Sequence, residues 1–331
     1  MATPYGGTPG TEDAGQLTPV ATRPAGLRRR WRRYPFKVVV GFGLLGAIVL
    51  MAIIGPLVAP YDPTAIGPDV LAPPSAAHLL GTTNTGQDVL SQLLVGARVT
   101  LLVGFGAGAV ATVLSVIVGI SAGYYGGAGG ELLSMLTNIF LIIPLLPLLV
   151  VLTAFLPGAG SLIVAVVISL TAWAWGARVL RAQTLALRTS DFVLAARAAG
   201  ERGWRIILFE ILPNEIAVVA ASFLFTVIAA IILYTGLIFL GLGNLNEWSW
   251  GAILYWAQNE EALTVGAWWW FVPAALCTAL LGTSIGLIGF GIDEFINPRL
   301  RAAGLSKKEQ RAMSMNQGLT PVDREPEGAG R

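Results

Sequence analysis

The stretch VTLLVGFGAGAVATVLSVIVGISAG, residues 99–123, runs without a single charged side chain. A helix rises about 1.5 Å per residue, so about 20 such residues cross the hydrocarbon core of a membrane. Five further stretches of the chain have this character or come close to it. In chain order the six candidate spans are 38–59, 99–123, 132–156, 161–177, 216–240 and 265–292. The sequence therefore predicts an all-α polytopic membrane protein with six transmembrane helices.

The composition supports this fold class and excludes others. Hydrophobic residues make up 55% of the 331 residues and charged residues only 12%, against about 25% charged residues in a soluble domain. Cys277 is the only cysteine and His78 the only histidine, which excludes an internal disulfide and argues against zinc or histidine-relay chemistry. We therefore predict no catalytic, metal or cofactor site in this chain.

The basic residues predict the orientation of the chain. Seven Lys or Arg precede the first span, six lie between spans four and five, seven follow span six, and Arg98 stands alone. The long loop 60–97 and the loop 241–264 contain no Lys or Arg. Together they contain six carboxylates. Basic residues concentrate on the cytoplasmic side. We expect both termini in the cytoplasm, with residues 1–35 as a disordered basic tail, 302–331 as a polar tail and 60–97 outside.

The spans contain no Asp, Glu, Lys, Arg or His, which argues against a proton-coupled carrier because such carriers keep ionisable groups at membrane depth. A sodium site built from backbone carbonyls stays open. None of the three lysines stands in the Gly-Lys-[Ser/Thr] context of an ATP-binding loop. If the chain takes part in active transport, the energy must come from another chain.

Two G-x-S-x-G matches, 119–123 and 282–286, resemble the nucleophile site of serine hydrolases. Each is also a GxxxG, and close helix packing is the favoured interpretation; Gly104 and Gly108 form another such pair.

Pro144 and Pro147 should kink or loosen span three; they either line a translocation path or are purely structural. Tryptophans near the outer end of span six favour an interfacial belt over a ligand box; they are Trp248, Trp250, Trp256, Trp268, Trp269 and Trp270.

The charged loop, residues 178–214, contains a candidate docking helix. Ser190 or Asp191 can cap the start of a two-turn alanine-rich helix, and Gly200 suits a left-handed residue just past its end. So short a helix is marginal alone in water, so we expect it to pack against something. Phe192 offers an apolar contact and Arg197 a donor, whereas a simple amphipathic linker is the alternative. Pro213 precedes span five.

The charged loop resembles the EAA motif of permeases of binding-protein-dependent ABC importers. The matching positions are Ala195, Ala196, Gly200, Ile211, Leu212 and Pro213. The motif's Glu is Leu194 here. The resemblance implies that this is the coupling helix that docks on an ATPase subunit, with the residues that surround the match also at the interface: Asp191, Phe192, Arg197 and Ala199.

Further stretches resemble the C-type subunit of dipeptide/oligopeptide permeases over roughly residues 36–301, the permease domain. The loop 60–97 and the start of span two match the family's H-x-L-G-T-D-x-x-G-R-D-V-L-S-R…G-A-R at Gly81, Thr82, Gly86, Asp88 and Arg98, among others. Thr83, Gln87 and Gln92 replace the usual Asp, Arg and Arg. Later matches are FLGLG at 239–243, SWG at 249–251 and NPRL at 297–300. Arg98 is a candidate partner for Asp88, or a free surface arginine.

The resemblance implies a type I ABC importer fold in the bacterial plasma membrane and a chain that is not itself an enzyme. The implied partners are a homologous second permease subunit, two ATP-binding subunits that hold ATP and Mg, and an extracytoplasmic substrate-binding protein, besides membrane lipid. Nucleic acid is not expected. Members of the family carry peptides, nickel chelates or haem. The alternatives from other classes are a self-sufficient secondary carrier and a membrane-embedded serine hydrolase.

Overall fold

A computed structural model describes residues 36–156 and 160–296 of the chain. Ten α-helices occupy these ranges; the predicted terminal tails and the NPRL match lie outside them. The helices are α1 (Phe36–Val58), α2 (Val89–Tyr125), α3 (Gly127–Ile142), α4 (Leu145–Ala154), α5 (Ser161–Leu187), α6 (Asp191–Ala198), α7 (Gly203–Ile206), α8 (Leu212–Phe239), α9 (Trp250–Asn259) and α10 (Trp268–Ile296). A π-helical turn, Ile207–Ile211, joins α7 to α8.

The predicted all-α fold is confirmed: the described residues contain five candidate membrane spans, or six if one bent pair of helices counts as a single span. Five helical segments are long and apolar enough to cross a membrane, and α3 with α4 forms a sixth that bends by 82°. The bend lies at Pro144, which precedes α4, while Ile143 is extended, as residues before proline prefer. The predicted kink is therefore a complete break. Pro147 lies in the first turn of α4, where a missing N–H costs little.

Helix α2 is longer than the predicted span because residues 89–97, expected in the loop, form its first turns. Its 37 residues extend over about 55 Å. Residues 59–88, which we call the cap, precede its first residue. Near its other end, Tyr124 contacts Arg197 of α6. The cap and α6 therefore lie at opposite ends of one continuous helix.

Glycines of α2 allow two neighbours to approach its backbone. A Cβ on Gly104 would lie 2.3 Å from Ile231 of α8, and one on Gly119 would lie 2.5 Å from the carbonyl oxygen of Ala177 in α5. Gly108 and Gly123 are similarly crowded. The packing interpretation of the glycine pairs in span two is thus confirmed. It is wrong for Gly282 and Gly286, where a Cβ would meet nothing within 4 Å.

The serine-hydrolase alternative also requires a base beside a serine. His78 lies in the cap, bonded to Asp88 at the start of α2, whereas Ser121 is about 48 Å further along that helix. The hydroxyl of Ser284 donates to the carbonyl of Leu281 in its own helix. The geometry gives neither serine a basic partner among the described residues.

The tryptophans near span six have different environments, so the interpretation as one interfacial belt is wrong in part. Trp250 is fully buried, and its indole N–H donates to the carbonyl of Leu93 at 3.1 Å. Trp270 is also buried, whereas Trp268 is about half exposed, as an interfacial residue would be. Trp250 and Trp270 belong to the core that joins α2, α9 and α10.

Candidate functional site

Helix α6 has well-defined ends within the charged loop. Ser190 is the residue before its first turn, but its hydroxyl donates back to the carbonyl of Leu187, so the predicted side-chain cap is absent. At the other end Gly200 has φ +79°, and the amides of Gly200 and Glu201 donate to the carbonyls of Arg197 and Ala196. This pair of bonds is a Schellman motif. The predicted helix and its left-handed glycine are confirmed.

The inner face of α6 is fixed by a residue that sequence reasoning missed. Val193 is fully buried against Ile120 of α2, Leu180 of α5, and Ile206 and Ile211 of the charged loop. Ala196, three residues on, is partly buried against the same cluster. The i, i+3 spacing of these two residues is the helical signal that could have identified this face. Ala196 is therefore occupied by contacts within this chain.

The outer face of α6 is available to a partner. Phe192 is 38% and Leu194 49% exposed, and a further set is exposed with them: Asp191, Ala195, Ala199 and Gly200. Arg197 lies with its guanidinium 4.8 Å from the centre of the Tyr124 ring, so this predicted donor is also a contact within the chain. Apart from the carboxylate of Asp191, the exposed set presents a mainly apolar surface at the end of the molecule.

The chain that follows α6 returns to the membrane as one helical segment from Gly203 to Phe239. Pro213, expected before span five, lies inside this segment, directly after the π-helical turn. A proline cannot donate the helical hydrogen bond, and a π turn is a common way to accommodate the loss. Pro213 therefore lies in the first turn of α8, ahead of the predicted span 216–240, and follows a helical distortion between α6 and α8.

A buried carboxyl group joins α5 to α8 close to α6. The Thr184 hydroxyl donates to Oε1 of Glu215 at 2.8 Å, and both residues are buried. Among the described residues, Oε2 of Glu215 has no hydrogen-bond partner. The predicted fifth span starts at residue 216, so Glu215 lay just outside it. Its contact with α5 was therefore not predicted.

The cap contains the residues that match the family motif, and they hold its backbone together. Gly81 and Gly86 have φ of +72° and +73°, and a Cβ on either would collide with the backbone of Ala72 or Gly67. The amide of Ala72 donates to the hydroxyl of Thr82 at 2.8 Å. In the exposed part of the cap, bonds from the Thr64 hydroxyl and amide lower the pKa of Asp62, which supports its negative charge.

Asp88 begins α2 and is the centre of the cap. It is 2% exposed, accepts bonds from the amide and hydroxyl of Ser91, and lies 3.0 Å from Nδ1 of His78. Asp88 therefore pairs with His78 and not with Arg98, which favours the alternative of a surface arginine. Arg98 points out of α2 ten residues later and is exposed. An aspartate at the helix start caps its own first turn, which turns its carboxylate away from the later turns.

The three positions that depart from the motif form one neutral network. The backbone amide of Gln87 donates a hydrogen bond to the hydroxyl of Thr83 at 3.1 Å. Nε2 of Gln92 donates a second one to Oε1 of Gln87 at 2.9 Å. Gln92 is fully buried. The three positions that carry charges in the motif are thus joined here by hydrogen bonds between neutral side chains, and among the described residues Oε1 of Gln92 has no partner.

The fold defines a multi-pass membrane protein with a short amphipathic helix held at one end and a hydrogen-bonded cap at the other. The family described as "binding-protein-dependent transport system inner membrane component" matches residues 115–302. A second family, the N-terminal transmembrane domain of oligopeptide transport permease C, matches residues 28–74. The chain belongs to this family of permeases, on its dipeptide/oligopeptide branch, and is a protein of the bacterial inner membrane.

Full-length relatives support the same placement. The dipeptide transport system permease protein DppC of Bacillus subtilis is 32% identical, over 82% of this chain and 85% of the relative. The oligopeptide permease OppC of the same organism is 30% identical, over 80% and 86%. The di/tripeptide permease DppC of Pseudomonas aeruginosa is 33% identical, over 86% and 96%.

Proposed function

We propose that this chain forms half of the translocation pore of an ATP-driven importer of di- or oligopeptides. The peptide class is supported by the relatives, which are named dipeptide, di/tripeptide and oligopeptide permeases. The other half of the pore is a homologous second permease chain. Nickel or haem transport by a permease of the same family is the alternative substrate assignment.

The end of the molecule that carries α6 faces the cytoplasm in this proposal. Twenty of the 21 Lys and Arg lie in the two terminal segments and in the loop that contains α6, as expected for cytoplasmic segments. Both termini are therefore cytoplasmic, and the acidic cap faces an extracytoplasmic substrate-binding protein. The ATP and Mg needed for transport are bound by two separate ATPase subunits.

The arrangement of α6 is the observation that carries the proposed mechanism. Val193 fixes the inner face of the helix to α2 and α5, while Phe192, Leu194 and Ala195 stay exposed. A force applied by an ATPase subunit to the outer face would move α2, α5 and α8 with the helix, because their side chains are packed around Val193. Leu194 at the motif's Glu position makes this contact apolar.

A bulky side chain on the outer face tests the docking assignment. Ala195→Trp should block the ATPase subunit without disturbing the fold, because Ala195 is exposed. The matched control is Ala128→Trp, an exposed alanine of α3 near the same end of α2. We expect Ala195→Trp to lose co-purifying ATPase subunits and peptide uptake, while Ala128→Trp keeps both.

Two results would contradict the proposal. Normal ATPase recovery and uptake in Ala195→Trp would remove α6 from the interface. Peptide uptake by this chain reconstituted without ATPase subunits would instead favour a self-sufficient carrier. Competition of labelled dipeptide uptake by tripeptides, nickel chelates and haem, measured on the complete complex, separates the substrate classes.

A further inference from the structure

A groove of about 580 Å³ lies between α1 and α2 on the surface of the helix bundle. Its walls are apolar and come from Ile53 and Leu57 of α1 and from Leu101, Leu102 and Phe105 of α2. Ile53, Leu57 and Leu102 are 65%, 83% and 65% exposed. In the single chain, the groove therefore opens sideways along a candidate membrane span.

The two helices approach each other closely near the end of this groove at which Arg98 lies. A Cβ on Gly55 would lie 2.9 Å from the carbonyl oxygen of Leu94, which shows how closely the backbones approach there. Along α2, the groove then extends from Arg98 to Gly106, about 12 Å at about 1.5 Å per residue. The close contact closes one end, and the apolar walls continue towards the middle of the membrane.

Arg98 stands at the closed, polar end of the groove. It is the only Lys or Arg between residues 38 and 177, it is exposed, and it directly precedes the uncharged stretch 99–123. Among the described residues it forms no ion pair within 4.0 Å. The exposed guanidinium is suited to an anion, since arginine binds phosphate through parallel hydrogen bonds.

We propose that the groove binds a phospholipid, with one acyl chain between α1 and α2 and the phosphate on Arg98. A phospholipid supplies the anion and the apolar chain in one molecule and in the right order along α2. A transmembrane helix of a partner subunit would also cover the apolar walls. It would, however, bury the guanidinium without an anion, unless that helix carried an acidic residue. The proposal depends on neither the transported substrate nor the ATPase contact.

Gly106 allows the groove to be filled without disturbing the fold. A Cβ at Gly106, which lines the groove, would meet nothing within 4 Å, and the same is true of Gly46 on α1, which does not line it. Gly106→Phe therefore places a ring in the acyl-chain position. Gly46→Phe is the matched control, with the same substitution in a membrane helix at another open position.

The test uses the purified full-length chain, reconstituted in phosphatidylglycerol nanodiscs and returned to detergent for native mass spectrometry of retained lipid. We expect one phosphatidylglycerol to stay bound to the wild type and to Gly46→Phe. Its occupancy should fall at least fivefold in Gly106→Phe and in Arg98→Gln, and less in Arg98→Lys, which keeps the charge.

Equal lipid retention in all these proteins would overturn the proposal, as would loss in the control Gly46→Phe to the same extent as in Gly106→Phe. A second measurement identifies what lies in the groove of the complete complex. A photoreactive acyl chain should label a peptide that contains Leu102. Cross-linking of Leu102→Cys to the second permease subunit instead would assign the groove to the interface between subunits.

Discussion

The two ends of α2 are stabilised in different ways. At one end the cap has almost no regular secondary structure, and hydrogen bonds hold it to the neighbouring helices. The amide of Tyr61 donates to the hydroxyl of Ser91 in α2 at 3.1 Å, and the indole N–H of Trp269 in α10 donates to the carbonyl of Thr82 at 3.2 Å. At the other end α6 is a regular helix that one buried side chain, Val193, holds in place. The cap satisfies its own polar groups, whereas α6 leaves most of its surface exposed.

This difference corresponds to what each end has to do in the proposed importer. A backbone without helical hydrogen bonds must satisfy its polar groups elsewhere, so the cap tolerates little change at its glycines and polar residues. A helix satisfies its backbone hydrogen-bonding groups internally, so its exposed side chains can contact a partner. We therefore expect equivalent substitutions to be much more harmful in the cap than at α6.

The sharpest comparison is the same substitution at a left-handed glycine at each end. Gly86→Ala in the cap places a methyl group 2.2 Å from the carbonyl oxygen of Gly67. Left-handed strain costs about 1–2 kcal/mol and overpacking a further 1–3 kcal/mol, so we expect a loss of about 3 kcal/mol or more. The measurement is the thermal unfolding midpoint of the purified protein, together with its yield.

Gly200→Ala at the end of α6 is the matched variant. Gly200 has a similar φ of +79°, but a Cβ there would meet nothing within 4 Å. Only the left-handed strain of about 1–2 kcal/mol applies, and it should appear as fraying of α6 rather than loss of the fold. Equal effects of the two substitutions would mean that the two ends do not differ as described.

Val193→Ala tests whether one side chain holds α6. The substitution removes two buried methyl groups, and we expect a cost of about 2 kcal/mol from lost burial and the cavity left behind. Because the contacts are confined to one cluster, the loss should be local. Hydrogen exchange of the α6 amides should become faster, while exchange in the middle of α2 stays unchanged.

Leu194→Ala is the control for this prediction. Leu194 is the next residue along α6 but is 49% exposed, so its truncation should leave the exchange rates within α6 nearly unchanged. Faster exchange throughout the molecule in Val193→Ala, or none at all, would show that α6 is held by something other than the Val193 cluster.

The sequence alone was sufficient for features that repeat along the chain or depend on neighbouring residues. Apolar length predicted the spans, and the glycine at 200 predicted the end of α6. Contacts between distant parts of the chain were missed, since no local pattern marks Val193 against Ile120 or Thr184 against Glu215. The contact of Asp88 with His78, ten residues earlier, was likewise not predicted, and Arg98 was considered as a partner instead. The proline at 144 predicted a kink, but an 82° bend depends on tertiary packing.

The smallest expected effect concerns the one polar side chain that joins α6 to α2. The guanidinium of Arg197 lies over the Tyr124 ring at 4.8 Å, and such a contact at an exposed site stabilises by about 0.5–1 kcal/mol. A double-mutant cycle with Arg197→Gln and Tyr124→Leu, measured by hydrogen exchange of α6, should give a coupling energy in that range. A coupling near zero would leave Val193 as the sole anchor, and α6 would then be free to rotate about it. A coupling well above 1 kcal/mol would mean that α6 is fixed at two points, as the cap is fixed at many. In that case Arg197 would be a structural residue of the permease, and its guanidinium would not be part of the surface that contacts an ATPase subunit.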